Sequence, residues 1–328
     1  MTLVLGHSEI VKLLDMAEVI DAVEAAHRSL ATGQAWQPER YAVSLPASSS
    51  VLVPMIATAG HPPVTGIKLL TDTPDNAPHG LPVQQSLIVL IDPVTGCHEA
   101  VLHGGAITRC RTAAASAVAT RHLARPQGTT VGLVGAGALA RTHLEALAHI
   151  RPISDVLVWS RTSETAKTFV AEMEPLGINL QVAATAEEAV READIVCTLT
   201  PSRTPHVKGD WFRPGQHINA VGAPPRRDHR EIDTWGIRRS RVIVDSRDVA
   251  HAESGDVMIP VAEGAIDPHH FATELGEVIA GAAAGRRTDE DVTLFNSVGL
   301  GIQDVVTAQL VVDRARAEGF GFDLALTQ

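Results

Sequence analysis

Residues 130–140, which read Thr-Val-Gly-Leu-Val-Gly-Ala-Gly-Ala-Leu-Ala, decide the fold of this chain. They predict a buried strand, a G-x-G-x-x-A turn and the start of a helix. Gly135 permits the tight turn, Gly137 lets the backbone approach a pyrophosphate, and Ala140 keeps strand and helix close. The helix N-terminus adds N–H donors and partial positive charge. Glycine-rich turns occur in many proteins, but the strand before and the helix after this one favour dinucleotide binding.

Downstream of this motif a series of apolar runs follows, and helical segments separate the earlier runs from one another. Such β-α-β repeats build a parallel sheet that is covered on both faces. We therefore expect an α/β fold with a Rossmann-type doubly wound parallel sheet. The predicted strands are 130–134, 155–159, 180–183, 195–199, 217–221 and 241–245.

The N-terminal part of the chain has a different texture. Residues 8–32 predict one amphipathic helix, with Ser8 as its N-cap and Gly33 as its terminator. Short β-rich runs follow between about 40 and 103, and then an alanine-rich helix over about 108–124. The segment 125–128 is a candidate boundary, and 299–318 predicts a last long helix. We expect a domain of residues 1–125, with 303–328 packing back on it, and a Rossmann domain of 126–302.

Composition and charge exclude several classes of function. The formal charge of −11 argues against nucleic acid or an anionic membrane as a partner. No run approaches the roughly 20 apolar residues that span a bilayer, and no secretory signal is visible. Three cysteines without C-x-x-C spacing indicate reduced thiols, and the histidines show no metal-binding spacing. We expect a cytoplasmic protein without a metal.

The end of the second Rossmann strand bears on the choice of cofactor. NAD sites usually carry an acid there, which binds the ribose 2′-hydroxyl. Here the residues are Ser160, Arg161 and Thr162. An arginine between two hydroxyls suits a 2′-phosphate, although Arg161 could also simply face solvent. NADP(H) is therefore preferred over NAD(H), which stays possible.

Three basic residues in the N-terminal half, taken together, indicate a site that binds a carboxylate and transfers a proton. Lys68 interrupts an apolar strand, where an unpaired ammonium would be costly, so it needs a partner. Burial can also bring its pKa into a range useful for proton transfer. Arg40 and Arg111 are natural forks for a carboxylate. Singly, each could be a surface or ion-paired residue.

With these residues in place, the chain resembles the ornithine cyclodeaminase/mu-crystallin family over nearly its whole length. The resemblance implies a Rossmann domain, a discontinuous α+β substrate-binding and dimerisation domain, and a homodimer. The matching segments are Gly66–Lys68, Gly80–Pro82, Ile107–Ala114, Gly135–Gly137, Ala193–Val196, Pro214–Gly222, Val244–Ser246, Glu274–Glu277 and Thr293–Gly299.

The resemblance also assigns roles to single residues. Arg40 and Arg111 would hold a substrate carboxylate, Lys68 would bond it or move a proton, and Gln85 would join the substrate site. A further set would line the cofactor. These residues are Thr112, Gly135, Gly137, Ala138, Leu139, Ser160, Arg161, Thr162, Thr200, Val221 and Ser297.

One departure separates the activities known in this family. Cyclodeaminases carry an aspartate soon after the Ala-Val-Gly strand, where this chain has Pro224. The loop ends in Arg-Asp228-His-Arg-Glu, similar to the mu-crystallin type, which also has Asn-Arg-Thr at the place of Ser160 to Thr162 and a Gln near Gln85. These features favour NAD(P)H-dependent ketimine reduction over cyclodeamination, although Asp228 could swing in as a surrogate for the missing catalytic aspartate.

The expected reaction is reduction of Δ1-pyrroline-2-carboxylate or Δ1-piperideine-2-carboxylate to L-proline or L-pipecolate. Three alternatives stay open. One is an amino-acid dehydrogenase or N-alkyl amino-acid synthase, which forms its imine from a keto acid and an amine. The second is an ornithine or lysine cyclodeaminase. The third is an NADPH-dependent protein that binds a small ligand without catalysis.

Overall fold

The computed structural model describes residues 1–46, 48–60 and 63–326, and it divides into two compact units. The first unit comprises the described residues of Met1–Arg111 and Leu300–Gln328, and the second comprises Thr112–Gly299. The chain crosses between them at 111/112, inside a helix, and again at 299/300. The sequence predicts these crossings at 125/126 and 302/303.

The strands and helices of the two units are numbered here in chain order. The strands are β1 (Thr2–Leu5), β2 (Ala35–Trp36), β3 (Val43–Ser44), β4 (Val51–Gly60), β5 (Pro63–Asp72), β6 (Gln84–Ile91), β7 (His98–His103), β8 (Thr130–Val134), β9 (Asp155–Trp159), β10 (Asn179–Val182), β11 (Ile195–Thr198), β12 (His217–Ala220), β13 (Arg241–Val244), β14 (Thr293–Asn296) and β15 (Phe322–Leu324). The helices are α1 (His7–Leu13), α2 (Met16–Ala31), α3 (Gly104–Leu123), α4 (Ala138–Ile150), α5 (Ser163–Met173), α6 (Ala186–Arg191), α7 (Thr234–Arg239), α8 (Arg247–Glu253), α9 (Gly255–Ala262), α10 (Leu275–Ile279) and α11 (Gly301–Glu318).

The first unit is built on a mostly antiparallel sheet of order β15-β1-β7-β6-β5-β4-β2, with β3 also paired to β4. The last long helix, α11, contacts β4, β5, β6 and α2. Its buried face repeats at helical spacing through Gly301, Val305, Ala308 and Val312. Burying each large aliphatic side chain stabilises this packing by about 1.5–3 kcal/mol. The chain end is thereby held against the strands that carry Lys68 and its neighbours.

The prediction of one helix over 8–32 is wrong. Leu14 adopts an extended conformation, and the chain restarts as α2 at Met16. Asp15 caps the new helix, since its Oδ1 accepts a hydrogen bond of 3.1 Å from the backbone N–H of Glu18. Ser8 lies inside α1 and not at its cap. Gly33 does follow the end of α2, in the left-handed region with φ of 70°.

The second unit contains a parallel sheet of order β10-β9-β8-β11-β12-β14-β13. Its order reverses between β8 and β11, which is the arrangement of a doubly wound nucleotide-binding sheet. All six predicted strands are present, with ends within one residue of the prediction. A seventh strand, β14, is not predicted from the sequence and inserts between β12 and β13. It is only four residues long, and the helices α8, α9 and α10 all lie between it and β13, so no regular alternation of one strand with one helix marks it.

Apolar side chains cover both faces of this parallel sheet. Leu133 and Cys197 point into one cluster, together with Phe169, whereas Val134 and Val196 point into the other. This alternation is expected for strands that are buried on both faces. In the described ranges, no helix is long and apolar enough to cross a membrane.

Candidate active site

The predicted cofactor residues of the second unit gather at one edge of its sheet. Each group directly follows a parallel strand, and the C-terminal ends of such strands form the ligand-binding edge of a doubly wound sheet. Thr112, which lies on α3, is the exception. The groups are Gly135 to Leu139 after β8, Ser160 to Thr162 after β9, Thr200 after β11, Val221 after β12 and Ser297 after β14.

The turn after β8 has the geometry that a pyrophosphate requires. Gly135 has φ of 116°, and a Cβ added there would lie 2.8 Å from the carbonyl oxygen of Leu199. Gly137 is the N-cap of α4, without a side-chain hydrogen bond, and a Cβ there would meet open space. Phosphate oxygens can therefore approach the helix N-terminus without competition from a capping side chain. These residues fit a dinucleotide.

The turn after β9 presents Arg161 and Thr162 as exposed residues and Ser160 as a half-buried one. Thr162 is the N-cap of α5 and makes no side-chain hydrogen bond to that helix. Its hydroxyl is therefore not used as a helix cap, and the exposed Arg161 directly precedes it in the chain. The three side chains offer donors to an anion at the position where a ribose 2′-substituent binds in this fold.

In the first unit, Lys68 lies on β5 and is 1% exposed. Its Nζ is 2.5 Å from Oδ2 of Asp304, on the first turn of α11. Arg111 donates from Nε to Oδ1 of the same carboxylate, at 3.0 Å. The structure therefore brings two of the predicted substrate residues, Lys68 and Arg111, onto one buried carboxylate. Asp304 is the partner that Lys68 needs, and it was not predicted from the sequence.

The pKa of Lys68 is lowered to about 8. Burial is the main cause, and the positive charges of Arg111 and Arg40 add to it, whereas Asp304 opposes it. The pKa of Asp304 is lowered, because Arg111 and Lys68 outweigh the effect of its burial. Asp304 is therefore a carboxylate at neutral pH. Lys68 is an ammonium that can release a proton slightly above neutrality.

A second buried side chain fixes Arg111. Gln303 accepts a hydrogen bond of 2.8 Å from Nη1 of Arg111 through its Oε1. The Nε2 of Gln303 lies 3.0 Å from Nε2 of His27. Burial lowers the pKa of His27 to about 4, so the ring is neutral and its Nε2 accepts from the amide. His27 and Gln303, both missed in the sequence, thus orient the guanidinium.

Arg40 belongs to the same region, whereas Gln85 does not. The Nη1 of Arg40 lies 3.9 Å from Sδ of Met55, which pairs with Lys68 in register, and its charge acts on Lys68. Gln85 pairs with Thr71, three positions along β5 from Lys68. Alternate residues of a strand point to opposite faces, so Gln85 faces away from Lys68.

Asp228 is an exposed carboxylate of the second unit. It accepts a hydrogen bond of 2.8 Å from Nδ1 of His229 and pairs with Arg203 at 3.5 Å. The hydrogen bond from His229 is the main reason why the pKa of Asp228 is lowered. A proton-donating role for Asp228 stays a prediction, and this environment favours the ionised form. Among the described residues, no group of three or more His, Cys, Asp or Glu side chains could hold a metal ion.

Three relatives of known name match almost the whole chain. An alanine dehydrogenase of Archaeoglobus fulgidus is 36% identical over 98% of this chain and 97% of its own length. A Δ1-pyrroline-2-carboxylate reductase of Bacillus cereus is 35% identical, over 97% of this chain and 98% of its own length. The ketimine reductase mu-crystallin of Mus musculus is 35% identical, over 90% and 91% of the two chains.

Two solved structures share the fold over its full length. The Δ1-pyrroline-2-carboxylate reductase of Thermococcus litoralis, in complex with NADH and L-proline, has a TM-score of 0.93 and 38% identity, covering 98% of this chain and 100% of that one. An archaeal alanine dehydrogenase dimer with bound NAD has a TM-score of 0.94 and 34% identity, covering 99% of each chain. The expected Rossmann-type fold class is confirmed. The family model matches residues 1–319, and the chain belongs to the ornithine cyclodeaminase/mu-crystallin family.

Proposed function

We propose that this protein is a nicotinamide-dependent oxidoreductase that reduces a cyclic ketimine carboxylate. The substrate is Δ1-pyrroline-2-carboxylate or Δ1-piperideine-2-carboxylate, and the product is L-proline or L-pipecolate. The observation that carries the proposal is the buried cluster in which Lys68 and Arg111 share the carboxylate of Asp304. The Bacillus cereus, Thermococcus litoralis and Mus musculus relatives, each named for imine reduction, support it.

The cluster has the charge to receive a carboxylate. Lys68, Arg111 and Arg40 provide three positive charges, and Asp304 neutralises one of them. A substrate carboxylate would neutralise a second of these charges and accept charge-assisted hydrogen bonds from the guanidinium groups. Gln303 and His27 hold Arg111 in place before the substrate arrives, so less ordering remains for binding to accomplish.

Lys68 would manage the proton of the reaction. The carbon of a C=N bond accepts hydride readily only when its nitrogen carries a proton, and reduction then yields a CH–NH product. An ammonium with a pKa of about 8 donates effectively near neutral pH. Asp304 keeps Lys68 charged and aims its Nζ. When bound, the reduced nicotinamide supplies the hydride.

Unit 2 would bind the coenzyme, and NADP(H) is the form that Ser160, Arg161 and Thr162 favour. Residues 160–162 include no acid that could bind a 2′-hydroxyl, and Arg161 is exposed, so that a phosphate can reach it. The two solved relatives are complexes with NADH and NAD. Coenzyme preference is therefore the point at which this chain would differ from them.

Unit 1 would bind substrate and pair with a second copy of this chain. One row of half-buried or exposed apolar side chains crosses its sheet in register, on the face opposite to Lys68. An apolar row of this length is typical of a surface that is covered in an oligomer, and the archaeal relative is a dimer. The row consists of Phe322, Val4, Val101, Val89, Ile67 and Ile56.

A second candidate is reductive amination of a keto acid, because the Archaeoglobus fulgidus relative is an alanine dehydrogenase. The same cationic cluster would hold the carboxylate of an open-chain imine formed from keto acid and ammonia. Cyclodeamination is less well supported, because Pro224 stands where cyclodeaminases of this family carry aspartate.

The test is a comparison of coenzyme oxidation across substrates. Purified protein would be supplied with NADPH or NADH and with each cyclic imine, or with pyruvate plus ammonia or methylamine. Ornithine with NAD⁺ would be followed by release of ammonia, because cyclodeamination leaves the coenzyme unchanged. We expect both cyclic imines to give the highest kcat/KM. Faster turnover of pyruvate plus ammonia would favour the second candidate. No turnover of either imine between pH 5 and 8, with coenzyme binding intact, would refute the proposal.

A further inference from the structure

Glu231 is a fully buried carboxylate in the second unit, in the segment between β12 and α7. Its side chain accepts five hydrogen bonds. The donors to Oε1 are the backbone N–H of Thr200 at 2.6 Å and its hydroxyl at 2.7 Å. The donors to Oε2 are the hydroxyl of Thr198 and the N–H of Gly222, both at 2.7 Å, and the N–H of Ala223 at 3.2 Å.

These donors belong to the exits of two neighbouring strands. Thr198 ends β11 and Thr200 follows it, and Gly222 and Ala223 follow β12. The two exits approach each other closely, since a Cβ on Gly222 would lie 2.0 Å from the backbone nitrogen of Thr200. One side chain therefore ties together the two turns that carry Thr200 and Val221, both predicted to line the cofactor.

The site accepts an ionised carboxylate and not an amide. Each oxygen of Glu231 faces at least one backbone N–H, which can only donate. An amide NH₂ would therefore oppose a backbone N–H in either of its two orientations. Burial raises the pKa of Glu231, and the hydrogen bonds from Thr200, Thr198 and Gly222 counteract that rise. A second carboxylate, Asp256, accepts hydrogen bonds from the backbone N–H groups of Glu231 and Ile232 and fixes this segment from behind.

The position within the sheet indicates which part of the coenzyme is affected. A doubly wound sheet binds one mononucleotide on each side of its switch point. The glycine turn after β8 and the residues after β9 lie on the half that binds the adenosine side. The half containing β11 and β12 is left for the nicotinamide side. Glu231 organises only this second half.

We infer that Glu231 is a positioning residue for the nicotinamide half of the coenzyme, acting through the turns after β11 and β12. This inference rests on the proposed dinucleotide binding by unit 2. It does not depend on which imine is the substrate, because its readout is coenzyme binding without substrate. A failure of the imine assay with intact coenzyme binding would leave it standing.

The experiment compares two ligands on Glu231→Gln. The first ligand is NADPH, and the second is 2′,5′-ADP, which carries only the adenosine half; NADH and ADP replace them if the protein prefers NAD(H). We expect the Kd for the whole coenzyme to rise at least tenfold, because buried N–H donors that lose their acceptor carry a cost of about this size. The Kd for the fragment should stay within about twofold of the wild-type value. Glu263→Gln, on the exposed end of α9, is the matched control and should change neither.

Thr198→Val provides a milder variant if Glu231→Gln does not fold. It removes one hydroxyl donor to Oε2 and leaves the three backbone donors in place. We expect it to weaken coenzyme binding by a smaller factor in the same direction, again sparing the fragment. Equal weakening of coenzyme and fragment, or a folded Glu231→Gln protein with wild-type coenzyme affinity, would overturn the inference.

Discussion

The ammonium of Lys68 and the carboxylate of Asp304 meet at 2.5 Å although the two residues are 236 positions apart in the chain. The pair is buried on both sides, with 1% and 0% of the side chains exposed. Arg111 shares the same carboxylate. Asp304 therefore controls two predicted substrate residues at once, and the C-terminal helix is part of the candidate active site and not a peripheral addition.

Replacing Asp304 by Asn should damage stability and catalysis together. The amide keeps the shape but leaves two buried cations without a counter-ion, which costs about 3–5 kcal/mol when a buried pair is broken. Loss of the carboxylate also lowers the pKa of Lys68 further, since Asp304 raises it. The measurements are denaturant unfolding and the pH profile of kcat/KM. Asp313→Asn, exposed on the same helix, is the control; unchanged unfolding and an unchanged profile in Asp304→Asn would contradict the role.

The activity should fall on the alkaline side as Lys68 loses its proton. With a pKa of about 8, Lys68 is charged below that value and neutral above it, so kcat/KM should decrease above pH 8. Lys68→Met should lower kcat by about 10²–10⁴-fold, the usual contribution of a proton-transferring group. Lys68→Arg stays charged throughout and should lose the decrease near pH 8 from its residual activity. Retention of that decrease in Lys68→Arg would assign it to another group.

Arg161 should set the preference for NADP(H). Arg161→Gln removes the charge that would bind a 2′-phosphate, which is worth about 1.5–3 kcal/mol for a charged hydrogen bond. We expect the KM for NADPH to rise on the order of tenfold to a hundredfold, with the KM for NADH unchanged. Lys167→Gln, exposed on the following helix α5, is the control. Equal effects on both coenzymes would show that Arg161 does not read the 2′-substituent.

The nucleotide edge was predictable because its signals are local. Gly135, Gly137 and the Ser160 turn each directly follow a strand that the apolar pattern marks, and parallel strands bring their ends to one edge without further information. The break between α1 and α2 was missed because the apolar spacing continues through it. The break occurs at Asp15, because an aspartate side chain is more favourable at a helix N-cap than inside a helix, and here it accepts a hydrogen bond from the backbone N–H of Glu18.

The substrate cluster could be predicted only in part. Lys68, as a cation in an apolar strand, indicates that a partner exists, but nothing near it in sequence identifies that partner. Asp304 lies between Gly301 and Ala308 on the apolar face of the last helix. An acidic residue on a buried face is the feature of the sequence that could have indicated a buried ion pair. Pairing the two needs the fold. The misplacement of Gln85 has the same origin, because its face depends on the strand register.

The apolar row on the sheet of unit 1 should hold the dimer together. Ile56 is 45% exposed within one chain, and Ile56→Glu would place a charge among apolar side chains of a partner. We expect the wild type to elute as a dimer and this variant to shift towards the monomer mass in light scattering. Val182→Glu, at a 39% exposed strand position of unit 2, serves as the control. A monomeric wild type, or a variant that stays dimeric, would move the interface elsewhere.

Asp256 should make the stability of the protein depend on pH. Burial, reinforced by the neighbouring charge of Glu231, raises its pKa from 3.8 to about 7. Between these values the folded state holds a proton that the unfolded state has released, so this group's contribution to stability falls as pH rises and is lost above pH 7.

Asp256→Asn keeps the Oδ1 acceptor for the N–H groups of Glu231 and Ile232 but has no charge to bury. As pH is raised from 5 to 8, the free energy of unfolding of the variant should therefore rise relative to that of the wild type by an amount on the order of a few kcal/mol. The Tm of the variant should rise relative to the wild type over the same range. Asp248→Asn, exposed on α8, should show no such trend. A Tm difference between Asp256→Asn and the wild type that stays constant across this range would mean that Asp256 is already ionised at pH 5 in the folded state.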